Sequence, residues 1–199
     1  MTFETTSAAN TWLNEDSARG NAYMISSAMG MDFVIMAPVF LWCKYNGGTI
    51  RVLASLGLFY LIRAQLMKYF FLMRYHGYLF RFPGIGSVVI AYHDTNDFYY
   101  SGHIGSSTCF TLEAYALGHK KMALIAVCII IYEWTFMCLT REHYIIDLLS
   151  GFVIAMTCHR VCEVLVYLVD VLILGLKKKD RDTLWYKACG RCGWLCCDA

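Results

Sequence analysis

The sequence predicts an all-α chain arranged as a polytopic transmembrane helical bundle of about five spans. Three observations predict it. Hydrophobic residues are 58% of the 199 and charged ones only 16%, whereas a soluble domain carries about a quarter charged residues. Mean hydropathy is +0.48, which fits an outer surface solvated by lipid. The apolar residues fall into stretches of the ~20 residues needed to cross a bilayer, divided by short turns. A net charge of +2 gives no reason to expect nucleic acid. The expected partners are membrane lipids.

Residues 1–20 form a polar N-terminal segment with room for a short surface helix, and hold no apolar core of the kind a signal peptide needs. The bundle is read over 21–176. Its first span runs from about Tyr23 to Cys43, and Gly47-Gly48 marks a tight turn. The second runs from Thr49 to Met73. Residues 74–98 form a loop with Pro83, Gly84 and Gly86, whose apolar patch Ser87–Tyr92 is expected to dip into the membrane interface. The third span covers Tyr99 to Leu117, and Gly118-His119-Lys120-Lys121 turns the chain. The fourth covers Met122 to Leu139. The fifth starts near His143 and continues to about Leu176, long enough to be tilted, broken or projecting. Residues 177–199 are a basic, Cys-rich tail.

Five spans place the N-terminus and the two polar loops described next on one side of the membrane and the C-terminus on the other. The C-terminal side carries Lys44, Arg51, Lys120, Lys121 and the tail cations. The positive-inside rule makes that side cytosol or matrix. The other side is then lumenal, extracellular or intermembrane.

Two segments carry the chemistry. In Thr140-Arg141-Glu142-His143-Tyr144-Ile145-Ile146-Asp147, His143 and Asp147 are four apart at the start of an apolar helix, a spacing that sets them on one face. A carboxylate there orients an imidazole and favours its cationic form, which prepares the histidine as base or nucleophile. A plain polar contact between helices is the competing account. In Tyr100-Ser101-Gly102-His103, Gly102 lets backbone approach a ligand, and a helix starting here aims free N–H groups at an anion. Ser101 and Gly102 are thus candidate phosphate-binding residues, and His103 is placed for proton transfer. Gly102 with Ser106, and Gly105 with Cys109, also make small-residue faces for close helix packing. Arg74 and Arg81, seven apart before Pro83, suit bidentate phosphate recognition, and Arg141 adds a third donor beside His143. Lipid-headgroup contact or snorkelling is the ordinary account of the first two.

Together these residues resemble the membrane type 2 phosphatidic acid phosphatase superfamily. Asp97-Phe98-Tyr99-Tyr100-Ser101-Gly102-His103 and His143-Tyr144-Ile145-Ile146-Asp147 are similar to the two catalytic segments of its lipid phosphotransferase branch, the sphingomyelin synthases and phosphatidylcholine:diacylglycerol cholinephosphotransferases. The resemblance covers roughly residues 70–155. It implies a fold of that superfamily and a phospho-headgroup transfer, with phosphocholine the best single guess and ceramide or diacylglycerol the acceptor. It implies that His143, supported by Asp147, attacks phosphorus and becomes a phosphohistidine, while His103 protonates the leaving group and then activates the acceptor. Phe136-Met137 stand where the phosphatases carry Ser-Arg, which agrees with the transferase branch. Phe82 intervenes before Pro83, Ile145 stands where the transferases carry threonine, and the superfamily has six spans rather than five. A lipid phosphate phosphatase and a non-catalytic lipid-binding subunit packed among other membrane subunits are the alternative readings.

No carboxylate cluster suited to Mg²⁺ is apparent, so no metal or other cofactor is expected. Asp32, Arg63, Lys68, Glu113, Glu133, His159, Arg160, Glu163 and Asp170 lie in apolar stretches, where a charge is costly unless it faces protein or water. Pairing between helices is the simplest account, with His159–Glu163 and Arg160–Glu163 as pairs within one helix. Among the ten cysteines, those in apolar stretches read as packing residues. Cys189, Cys192, Cys196 and Cys197 in the tail are candidates for S-palmitoylation.

Overall fold

The structure is a computed structural model that describes residues 2–44, 50–70, 72–73, 76–90, 92, 99–169 and 173. Arg74, the Asp97-Phe98 start of the first motif, and the tail with Cys189, Cys192, Cys196 and Cys197 lie outside the described residues. The described chain is helical, with elements α1 (Thr2–Glu15), α2 (Ser17–Lys44), α3 (Ile50–Leu66), α4 (Gly102–Ala116), α5 (Lys120–Thr140) and α6 (Ile145–Leu168).

Helix boundaries follow local chemistry. Asp16 separates α1 from α2, and its Oδ1 accepts from the N–H groups of Ala18 (2.9 Å) and Arg19 (3.3 Å), the bonds of an N-cap. Ser101 caps α4 by accepting from Ile104 N–H at 3.4 Å. At the far end of α5, Arg141 takes a left-handed conformation, φ 59°, and its N–H and that of Glu142 both turn back to the Met137 carbonyl. That closing turn ends α5 before the chain enters α6.

α4 is the hub, in contact with α2, α3, α5 and α6, and Ile104, Cys109, Phe110 and Ala114 on it are fully buried. Three apolar clusters surround it. Phe110 and Ala114 pack with Val34 of α2 and Ala126 of α5. Ile104 packs with Met24, Phe136, Met137 and Leu148. Cys109 packs with Phe59 of α3 and Ala155 and Cys158 of α6. Gly105 lets this happen on the α3 side: a Cβ there would sit 1.9 Å from the Phe59 ring. The small-residue spacing is therefore a packing face at Gly105.

α5 and the Ile145–Val166 part of α6 are long and apolar enough to cross a membrane. Their outward residues, Leu124, Ile125, Ile131, Ile146, Val153 and Met156, are exposed and apolar, as a lipid-facing surface requires. The expected second span is shorter than the sequence implied. α3 stops at Leu66, and the chain turns over 67–69 although apolar residues continue. With 17 and 15 residues, α3 and α4 extend ~26 and ~23 Å, less than the ~30 Å of a hydrocarbon core.

The loop before α4 folds back along α2. Arg81 bonds Asn21 Oδ1 (3.0 Å) and the Ser17 carbonyl (3.2 Å) at the start of α2. Further along, Asp32 accepts from Ser87 Oγ (2.6 Å) and from the N–H groups of Val88 and Val89 (3.1 Å each). Fifteen residues of α2 separate Ser17 from Asp32, ~22 Å, so the loop tip reaches well down the helix. Asp32 thus has a protein partner, which an acid in an apolar stretch needs.

Candidate active site

The C-terminal end of α3, the N-terminal ends of α4 and α6, and the loop after α5 meet at one end of the bundle. Backbone joins them. The Ser101 N–H donates to the Asp147 carbonyl at 3.1 Å, and the Ser101 carbonyl lies so close to α6 that a Cβ on Gly151 would be 2.6 Å from it. The two motifs, more than forty residues apart in sequence, are thereby in contact.

His103 stands in the first turn of α4 and is half-buried. The charges that reach its imidazole are those of His143 and Arg63. His143 is buried in the loop between α5 and α6. The spacing placed it on α6, one turn from Asp147. It lies instead before the helix, since Tyr144 is the N-cap. The reason is that Asp147 Oδ2 accepts the Tyr144 N–H at 3.0 Å and so starts α6 at Ile145. The same oxygen is 3.9 Å from His143 Nδ1. That is an ion-pair separation, longer than a hydrogen bond. Asp147 is fully buried, and its Oδ1 has no hydrogen-bond partner among the described residues.

Ser101 and Gly102 form the buried start of α4 beside these groups. The arginines that sequence reasoning singled out have other contacts. Arg141 donates from Nη1 to the His76 carbonyl at 2.7 Å and helps hold the 76–79 loop, where Asn10 of α1 also bonds the Gly77 and Leu139 carbonyls. Arg81 is exposed at the α1–α2 junction. Arg63, in the last turn of α3, lies against the start of α4, with Nε donating to the Tyr100 carbonyl at 2.8 Å. Its sequence signal is a cation inside an apolar stretch, a signal it shares with Lys68 and Arg160.

Glu142, next to His143, is a second residue the motif reading passed over. It is buried, with Oε1 unbonded among the described residues. Burial pushes its carboxyl up to about 8, with the Glu133 carboxyl adding to the rise against a bond from Thr140. Tyr92, whose hydroxyl is also buried, lies within reach of the Glu142 and Asp32 charges, and burial foremost raises that phenol.

The family described as AtPDCT1/2, the phosphatidylcholine:diacylglycerol cholinephosphotransferases, matches residues 3–164. The chain belongs to that family. The match runs from α1 through most of α6, so Arg63, Ser101, Gly102, His103, Glu142, His143 and Asp147 all lie inside the AtPDCT1/2 region. The Cys-rich tail lies outside it. Membership is consistent with a lipid phosphotransferase acting on phospholipids. No curated protein and no solved structure matches the chain significantly.

Proposed function

We propose that the chain is an integral-membrane lipid phosphotransferase that moves a phospho-headgroup, phosphocholine by preference, from a glycerophospholipid to the hydroxyl of a diacylglycerol or ceramide. The observation that carries this reading is that the two histidine-bearing segments are joined, the Ser101 N–H donating to the Asp147 carbonyl at 3.1 Å, with the Asp147 carboxylate 3.9 Å from His143 Nδ1. Membership of the AtPDCT1/2 family supports it and favours diacylglycerol as acceptor.

In the proposed reaction Asp147 faces Nδ1 of His143, so Nε2 is the attacking atom. It forms a bond to phosphorus as the bond from phosphorus to the glycerolipid oxygen breaks, and His103 gives that oxygen a proton. The arriving phosphate is negative and favours the cationic form of His103 that can do so. The acceptor hydroxyl then gives its proton to His103 and attacks phosphorus, which releases His143. The N-terminal end of α4, with Ser101 and Gly102, faces the phosphoryl oxygens. The reading includes a five-span bundle of the type 2 phosphatidic acid phosphatase kind, with the site on the non-cytosolic face.

The test is a headgroup-transfer assay on the purified full-length chain in liposomes of phosphatidylcholine and labelled diacylglycerol, with His143→Ala as control. The expected result is labelled phosphatidylcholine from wild type and none from the variant. Equal product from both sinks the proposal. Free phosphocholine as the only product replaces transfer with hydrolysis.

A further inference from the structure

We infer that an acyl chain of the lipid substrate lies on the exposed apolar stripe of α2, between α5 and a re-entrant hairpin of residues 82–90; that the bound lipid is the substrate rests on the phosphotransferase reading above. The depth of the hairpin is the first observation. Ser27 of α2 donates to Glu133 Oε2 of α5 at 2.8 Å, and a Cβ on Gly30 would be 3.4 Å from Glu133 Oε1. Glu133 lies seven residues before Thr140, the last of α5, or ~10 Å. Leu79 bonded to Thr140, and Arg81 bonded to Ser17, put the start of α2 at that same end. Asp32, two residues past Gly30, is therefore ~13 Å inside the end of α5. α5 is long and apolar enough to cross a membrane, so Ser87–Val89, bonded to Asp32, sit well within the ~30 Å hydrocarbon layer.

Hydrocarbon offers no hydrogen bonds, so irregular backbone survives at that depth only where protein satisfies its polar groups. The N–H groups of the tip meet that condition. Val88 donates to Asp32 Oδ2 and Val89 to Asp32 Oδ1, each at 3.1 Å. Ile90 donates to Ser87 Oγ at 2.9 Å, and Ser87 Oγ to Asp32 Oδ1 at 2.6 Å. One carboxylate thus turns the polar side of the tip toward α2. The other side is apolar and open: Ile85 and Val88 are 62% and 79% exposed, and a Cβ on Gly84 or Gly86 would meet nothing within 4 Å among the described residues. The Phe80 and Tyr92 rings stack, centroids 5.4 Å apart, and clasp the two arms of the hairpin.

The α2 surface beside the tip is apolar too. Met29, Phe33 and Met36 are exposed, and at ~100° per residue they fall within ~60° of one another. Gly30, which faces Glu133 and Ile129 of α5, lies ~90° to one side of that stripe, and Asp32, which faces the hairpin, ~70° to the other. The stripe therefore continues the lipid-facing surface of α5 as far as the hairpin. Its upper end leads to the site, because the Leu79 N–H donates to the Thr140 carbonyl at 2.9 Å, three residues from His143. A lipid whose chain lies along Met29, Phe33 and Met36 carries its phosphate at the level of that loop. An acyl chain is the occupant that suits apolar side chains at hydrocarbon depth, since nothing there meets a polar group.

The experiment uses the wild-type full-length chain in phosphatidylglycerol liposomes that hold a trace of phosphatidylcholine with a diazirine midway along one acyl chain. Photolysis joins the probe to neighbouring residues, and peptide mass spectrometry maps them, with and without part of the bulk lipid replaced by unlabelled phosphatidylcholine. The expected result is label on Met29, Phe33, Ile85 and Val88 that falls ~5-fold or more on competition, by mass action. Leu124 and Val153, exposed on α5 and α6, should keep their label, because the fraction of probe in the bilayer is unchanged. Asp32→Ala frees the tip, and should lose the competed label at Ile85 and Val88 and lower kcat/KM for transfer by ~10-fold, the worth of one apolar side-chain contact. If that variant does not fold, the wild-type map decides alone. Label at Val88 that matches Leu124 and resists competition overturns the inference. So does oxidation of Ile85 and Val88 by hydroxyl radicals generated in the water, with no lipid label there. A folded Asp32→Ala variant that keeps the competed label also overturns it. Transfer by a wild type whose label resists competition takes down the acyl-chain site alone. Competed label without transfer takes down the phosphotransferase reading alone.

Discussion

The Ser101 N–H and the Asp147 carbonyl meet at 3.1 Å, so the two catalytic-type segments are spliced through their backbones. Side-chain substitutions in either segment leave that bond in place. What disturbs it is bulk between α4 and α6.

Gly151→Ala tests the junction. Its Cβ would lie 2.6 Å from the Ser101 carbonyl oxygen, and a backbone atom cannot rotate out of the way. Either α6 moves out or the Ser101–Asp147 bond lengthens. Overpacking of this kind costs about 1–3 kcal/mol. The expected outcome is a lower melting temperature together with a loss of transfer larger than that lowering explains. Gly57→Ala, where nothing lies within 4 Å, is the control and should leave transfer intact. An active Gly151→Ala variant with unchanged melting would show that the junction is loose.

Asp147→Asn separates the two tasks of that carboxylate. The amide oxygen can still accept the Tyr144 N–H, now 3.0 Å away, and Asn is as good a cap as Asp. Helix α6 should therefore start where it does now, and melting should change little. The negative charge 3.9 Å from His143 Nδ1 is lost, and transfer should fall by on the order of 100-fold or more, as when acid–base support is removed. Normal turnover in this variant would leave Asp147 a helix cap and nothing else.

Much of this arrangement was legible in the sequence. The run from Met122 to Leu139 announces α5 to within two residues at its start and one at its end, because Lys120-Lys121 and Arg141 bracket a continuous apolar stretch. The end of α3 was hidden, because Met67, Tyr69, Phe70 and Met73 continue the apolar pattern past the turn. His159 was read with Glu163, four residues on, as the helix rule suggests. Its partner is Glu113, 3.2 Å away on α4, while Glu163 bonds Arg160 and Arg51. Local spacing cannot see a competitor on another helix. Arg63 is hidden for a similar reason: it donates to the Tyr100 carbonyl, and backbone acceptors leave no mark in a sequence.

Glu142 predicts a pH dependence of stability. Its folded carboxyl stands at about 8 against an ordinary 4.5, chiefly through burial. Between those values the unfolded chain is ionised there while the folded chain keeps its proton. The folded state thus binds more protons, and stability must fall as pH rises from about 4.5 to about 8, then level off, with a slope of at most ~1.4 kcal/mol per unit. Thr140, Glu133 and Tyr92 are the groups that face this carboxyl. Glu142→Gln removes the titration, so the variant should melt higher than wild type near pH 8 and about equally near pH 4.5. Parallel melting curves for the two proteins across that range would place the Glu142 carboxyl in contact with water.

The opposite end of the bundle holds α3, α4 and α6 by charge. Arg51 is 1% exposed and its Nε lies 2.6 Å from Glu113 Oε2, with Glu163 at 3.4 Å; His159 shares the same Glu113 oxygen at 3.2 Å. Arg51 and Arg63 are twelve residues apart on one helix, ~18 Å, so this network cannot touch the transferred group. It can set how far α3 slides against α4, and therefore where the start of α4 stands. Arg51→Met leaves the Glu113 carboxylate with His159 alone, and breaking such a buried pair costs up to about 3–5 kcal/mol. Arg51→Met with Glu113→Leu removes both charges and should recover most of that loss. Turnover discriminates further. If the ion pair only holds the helices together, transfer returns with stability in the double variant. If it fixes helix register, melting recovers while kcat/KM for transfer does not.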